Sequence, residues 1–152
     1  MKILIATDGS EYSRTAIEQS ARVFGSNDQI EIKIISVYED VFPIAGEPFA
    51  LSADYYREME KESKADAEKF AAEAKKLIRD NFNGMEPETE VRQGPPGRKI
   101  VEAAQEWGAD LIVVGSHGRG FWGRMMVGST SDAVMHHAPC SVLVVRRQDG
   151  DS

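Results

Sequence analysis

The sequence predicts a single α/β domain built on a doubly wound parallel sheet of five strands, order 3-2-1-4-5, with four helices. Three observations carry this. Short apolar runs alternate along the chain with amphipathic helical stretches. The run Leu111-Ile112-Val113-Val114 is apolar at every position, as suits a central parallel strand covered on both faces. The first run ends directly in Asp8-Gly9-Ser10, a turn leading into a helix. With right-handed crossovers and this order, the switch point lies between the strand ending at Thr7 and the strand ending at Val114. Asp8 and the glycines after Val114 then face each other across one crevice.

Each element has its own signal. Residues 2–7, Lys-Ile-Leu-Ile-Ala-Thr, form a short buried strand. Ile17, Ala21 and Phe24 recur at helical spacing, and Gly25 suits the residue just past a helix end. Ile30, Ile32 and Ile34 alternate and are followed by Ile35 and Val37, so the second strand becomes apolar on both faces near its end. Residues 38–52 carry Pro43, Gly46 and Pro48 among Phe42, Ile44 and Phe49, a long loop placed to serve as a lid near 43–48. From 53 to about 82, Tyr56, Met59, Ser63, Ala67, Phe70, Ala74 and Leu77 make one stripe of a long amphipathic helix.

Residues 89–93 make a more polar strand, placed at an edge, and Gly94-Pro95-Pro96-Gly97 stops it. Ile100, Val101, Ala104 and Trp107 follow at helical spacing and Gly108 closes that helix. A short helix over 129–137 opens with Ser129 and Asp132 at the spacing of a capping box. Val142-Leu143-Val144-Val145 is the last strand. Residues 1–146 are expected to form the domain and 147–152 a polar tail that frays.

The chain has 152 residues, enough to bury a core without covalent staples. Its formal net charge of −7 repels polyanions and acidic lipid surfaces, which argues against nucleic acid and membranes as partners. Between Gly115 and Ser131 the only formally charged residues are Arg119 and Arg124, which suit one triphosphate better than a nucleic-acid backbone. A single cysteine, Cys140, excludes an internal disulfide framework, and the chain opens with a strand in place of a cleavable leader. A soluble cytoplasmic protein is the expectation.

The chemistry gathers in Gly115-Ser116-His117-Gly118, nine further residues, and Gly128-Ser129. This stretch begins where an apolar strand ends and finishes where a helix starts. Glycines let backbone N–H groups approach an anion, and the helix N-terminus adds unpaired donors and the favourable end of its dipole. The alternative is a plain glycine-rich connection. Two better-known phosphate patterns fail. Residues 118–123 spell G-x-G-x-x-G, but no long helix starts inside them and Leu143 stands where an acidic residue is needed. Arg124-Met125 stands where a P-loop requires Lys-Ser or Lys-Thr.

The chain resembles the universal stress protein family, in its ATP-binding branch. That branch carries G-2x-G-9x-G-[S/T], matched by Gly115, Gly118, Gly128 and Ser129. The opening strand with Thr7-Asp8-Gly9-Ser10 and the ending Ala138-Pro139-Cys140-Ser141-Val142-Leu143-Val144-Val145 are also similar to the family, although many members have proline where this chain has Ser141. The resemblance implies a Rossmann-like fold, ATP, and a homodimer. It further implies that Ala6, Thr7 and Asp8 line the adenosine side and that Val37 contacts adenine. Val114 and Gly115 would floor the pocket, Gly118 and Gly128 would present amides to phosphates, and Ser129 with Thr130 would donate at the helix start. Arg119 is either a phosphate contact or a solvated loop charge.

Asp8 can hold Mg²⁺ alongside ATP phosphates, bind a sugar hydroxyl, or simply cap a turn. His136 and His137 are neighbours on a helix and point apart, and His117 adds little, so no metal site built by protein alone is expected. Cys140 follows His136 by four residues, yet a cysteine opening an apolar strand is usually a packing residue. Phe121 and Trp122 mark either a partner surface or a lid, while Met126 and Val127 suit the core. The edge strand 142–145 is expected to pair antiparallel with its twofold mate.

Three functions compete. The first is a nucleotide-dependent regulatory homodimer, in which ATP orders the loop 116–127 and the lid. The second is a slow ATPase or autophosphorylating phosphotransferase with Mg²⁺ at Asp8 and Ser129 as acceptor. The third is a nucleotide-independent dimeric scaffold. No general base or arginine-lysine clamp is evident, which favours binding over turnover.

Overall fold

The computed structural model describes residues 1–42, 52–118 and 127–147. The expected lid, Arg119, Arg124, Phe121, Trp122, Met126 and most of the tail lie outside these. The elements run β1 (Lys2–Ala6), α1 (Glu11–Phe24), β2 (Glu31–Tyr38), α2 (Ala53–Asn81), β3 (Glu88–Gln93), α3 (Pro96–Trp107), β4 (Leu111–Gly115), α4 (Ser129–His137) and β5 (Ser141–Val145). All strand pairs are parallel and the order is β3-β2-β1-β4-β5, the predicted doubly wound sheet.

Alternation along the strands sends side chains to two cores. Ile3 and Ile5 of β1 join Ile32, Ile34 and Val113 beneath α1 and α2. Leu4 joins Ile35, Ile112 and Val114 beneath α3 and α4. The adjacent pair Ile34 and Ile35, each fully buried, shows why the end of β2 is apolar on both faces. Burying each such side chain contributes about 1.5–3 kcal/mol, and a sheet covered on both sides collects this from every central position.

Helix α1 begins at Ser10, whose hydroxyl accepts from Ser13 N. Its end corrects the expectation for Gly25, which is right-handed at φ −62. The chain continues as a turn there, with Asn27 N donating to Phe24 O, and Asn83 Nδ2 donates to Gly25 O from the end of α2. Gly108 does adopt the left-handed conformation at φ 71, its N–H bonding back to α3.

The stripe on α2 is rotated from the predicted one. Ala67, Ala71, Ala74 and Ile78 are buried, while Phe70 and Leu77 are only half-buried, because the sheet lies under the small residues. The capping box of α4 is also corrected. Gly128 is the N-cap, Ser129 is the first helical residue, and no side chain caps the helix.

At the amino ends of the strands, Lys2 and Lys33 place their Nζ atoms 5.4 and 5.1 Å from the centroid of the Trp107 ring. Arg92 bonds both Glu90 and Glu106. These hydrogen bonds hold the Glu106 carboxyl below the usual glutamate range and raise the Arg92 guanidinium. β5 forms the edge opposite β3, with Val142, Leu143 and Val144 half-buried and Val145 buried. No helix among the described residues is long and apolar enough to cross a membrane.

Two predictions follow from the backbone and the charges. A Cβ at Gly108 meets nothing, so Gly108→Ala should cost about 1 kcal/mol from its left-handed φ alone. Gly9→Ala should cost more, because at φ +75 its Cβ would also stand 2.3 Å from the Phe70 ring; urea denaturation orders parent, Gly108→Ala and Gly9→Ala. A carboxyl held low in the folded state stabilises above the ordinary glutamate pKa, and that contribution is lost as pH falls through the folded value. The stability gap between the parent and Glu106→Gln should therefore be widest near neutral pH and shrink progressively as pH falls below the ordinary glutamate range.

Candidate functional site

Ladder pairing of Ile5 with both Ile34 and Val113 puts the carboxyl ends of β1, β2 and β4 at one level. They open into a crevice of about 610 Å³, a size ordinary for small-ligand sites. Ala6, Thr7 and Asp8 enter it from β1, Val37 from β2, Val114 and Gly115 from β4, and Gly118, Gly128, Ser129 and Thr130 from the loop and α4. Every nucleotide-contacting position that the resemblance implies and that is present among the described residues thus lines one space.

The β1 turn is fixed by its own polar groups. Asp8 Oδ1 accepts from Ser10 N at 3.0 Å, an Asx turn. Thr7 is buried, accepting from Gly9 N and donating to Ser13 Oγ, both at 3.3 Å. The turn and the glycine loop touch across the switch point: a Cβ at Gly118 would stand 2.7 Å from Asp8 Oδ2. Gly115 lies similarly against the backbone of Tyr12, where a Cβ would come within 2.8 Å.

The loop from β4 to α4 is pinched at its neck. Ser116 is buried; its N–H donates to Val145 O and its carbonyl accepts from Gly128 N, each at 2.8 Å. Ser131 Oγ donates to Gly115 O. Two glycine segments far apart in sequence are thereby brought to one wall, with the uncapped N-terminus of α4 facing the crevice. Unpaired N–H groups there attract an anion, and the helix dipole adds about 0.3–1 kcal/mol.

Several lining residues escaped the sequence reading. Glu39 and Asp40 follow β2, and Asp66 and Phe70 come from α2. Glu39 and Asp40 read only as loop, while Asp66 falls beside the apolar stripe and carries no local signal. Asp40 accepts from Gln93 Nε2 at 2.6 Å. His117 also lines the crevice, its Nδ1 3.0 Å from Ser116 Oγ and its ring 5.1 Å from that of Tyr12. The described lining residues therefore carry four carboxylates, on Asp8, Glu39, Asp40 and Asp66, and no lysine or arginine. The donors that Gly118, Gly128, Ser129 and Thr130 offer to the crevice are backbone N–H groups and hydroxyls.

The other reactive residues stand apart. His136 and His137 turn their Nδ1 atoms to the helix carbonyls of Asp132 and Ala133. Burial, with the Asp110 carboxylate second, pushes the Cys140 thiol up, the reverse of an activated thiolate. Among the described residues no group of three or more His, Cys, Asp or Glu is arranged to hold a metal ion.

Comparison with known proteins places this architecture. A universal stress protein of Thermus aquaticus is 36% identical over 148 residues, covering 95% of this chain and 97% of its own. The structure of the universal stress protein UspA from Lactobacillus plantarum superposes with a TM-score of 0.79 at 25% identity, covering 96% of this chain and 97% of that one. A universal stress protein family protein of Arabidopsis thaliana, solved with AMP bound, shares the fold with a TM-score of 0.70 at 19% identity over 98% and 93% of the two chains. Residues 1–146 match the universal stress protein family as a whole. With a family match over residues 1–146 and more than a third of positions identical to a relative across nearly the whole chain, the chain belongs to the universal stress protein family.

Proposed function

We propose that this protein binds ATP with Mg²⁺ in the crevice at the switch point and acts as a nucleotide-dependent regulatory homodimer. The observation that carries this reading is the pinched loop: Gly115, Gly118 and the uncapped start of α4 share one wall, opposite Asp8. Adenosine lies toward Ala6, Thr7 and Val37, over Val114 and Gly115, and the phosphates lie against Gly118, Gly128, Ser129 and Thr130. AMP bound to the Arabidopsis relative supports adenine as the base.

The need for a cation comes from the charges. Asp8 Oδ2 lies against Gly118, so a phosphate resting there meets a carboxylate. Asp8 would help to hold Mg²⁺ there, and the cation would supply the positive charge that offsets this repulsion, since a hard divalent ion prefers such oxygens. Thr7 and Ser10 hold the Asp8 turn in place, and Ser131 holds α4 to the floor of the crevice. The output proposed is a bound state read by a partner, not turnover.

Dimerisation follows from β5. Its exposed edge carries half-buried Val142, Leu143 and Val144, and an apolar edge strand is an aggregation liability unless covered. A second copy pairing antiparallel about a twofold axis covers it.

Nucleotide released by acid from the freshly purified protein should chromatograph as ATP at about one per chain, and be lost from a Gly118→Val variant that keeps the parent's circular dichroism. ADP in its place indicates turnover, and an empty parent that takes up no added Mg-ATP sinks the reading. Val144→Lys should shift sedimentation from dimer to monomer at micromolar concentration; a monomeric parent contradicts the β5 interface.

A further inference from the structure

Helix α4 is gripped from two sides. Toward β4 it is held by Ser131 Oγ on Gly115 O and by Gly128 N on Ser116 O. Toward α3 the contact falls where α3 has no side chain. A Cβ at Gly97 would stand 2.6 Å from Ala133 Cβ and 3.5 Å from Thr130 O. Carbon atoms rest about 3.5–4.0 Å apart, so a methyl group at 97 requires α4 to retreat by roughly 1 Å. The Ala133 methyl has no rotamer by which to move aside.

Nothing in α3 itself asks for glycine at this position. Gly97 is not among the positive-φ glycines, and it sits in the first turn of α3, where alanine is the better helix former. Its lack of a side chain serves the approach of α4. Gly97 does not line the crevice, whereas Ser129 and Thr130, at the start of α4, do. The residues proposed for the adenosine side, Ala6, Thr7 and Val37, stand on or next to β1 and β2.

We propose that Gly97 is a specificity-determining position: by letting α4 close on α3, it sets Ser129 and Thr130 where a polyphosphate tail can reach them. It governs affinity for the tail and leaves affinity for the nucleoside alone. This rests on the nucleotide reading above.

Equilibrium dialysis of adenosine and of Mg-ATP against the parent, Gly97→Ala, and the double variant Gly97→Ala, Ala133→Gly tests it. Gly97→Ala should bind Mg-ATP about tenfold more weakly, as expected when a binding group is displaced by more than about 0.5 Å, with adenosine within about twofold of the parent. The double variant, which removes the opposing methyl, should recover most of the Mg-ATP affinity. Equal loss of both ligands, an unchanged Mg-ATP affinity, or no recovery in the double variant overturns the assignment to Gly97 while the nucleotide reading stands. A parent that binds neither ligand removes that reading and this inference together.

Discussion

β1 lies beside β4, and the crevice exists because of it. Consecutive strands usually neighbour one another, but here β1 is flanked by β2 on one side and by a strand more than a hundred residues later on the other. The crossovers leave β1 and β4 toward opposite sides of the sheet, so no connection covers the gap between their carboxyl ends. Asp8 from one and Gly118 from beyond the other come into contact there. Without that pairing the glycines would be an ordinary loop and Asp8 a turn residue.

Small groups keep the gap narrow. Gly9 accepts the Phe70 ring, Gly115 accepts the Tyr12 backbone, and Gly97 accepts Ala133. At each point an element approaches more closely than a β-carbon permits. α4 is a short helix without a side-chain cap, and isolated helices of its length are unstable in water. Its position is imposed by Ser131, Gly128 and the α3 contact, so its N-terminal donors are arranged by packing before any anion arrives. Such preorganisation lets backbone dipoles stabilise a charge without rearranging.

Charge is distributed unevenly around this space. Gly118, Gly128, Ser129 and Thr130 offer neutral donors, and the β2 and α2 side adds Glu39, Asp40 and Asp66 to Asp8. Glu39, Asp40 and Asp66 are exposed, so their charge acts on a ligand through solvent and is screened by salt. The ion pairs among Lys33, Glu88, Glu90, Arg92 and Glu106 involve no residue that lines the crevice.

Residue order alone settled the alternation of strands and helices, the wholly apolar central strand, and the strand-to-helix placement of the glycine motif. These are local signals: periodicity, turn chemistry and spacing survive in one dimension because neighbouring residues create them. Tertiary structure decided what depends on distant partners. The stripe of α2 turned toward Ala71 and Ile78 because the sheet surface favours small residues there. Gly25 stayed right-handed because Asn83 and a continuing turn took up its carbonyl end. Ser129 yielded the cap to Gly128 once Ser116 O accepted the Gly128 N–H. Asp66 and Phe70 reached the crevice only when α2 packed beside β2, a juxtaposition that no window of sequence around them encodes.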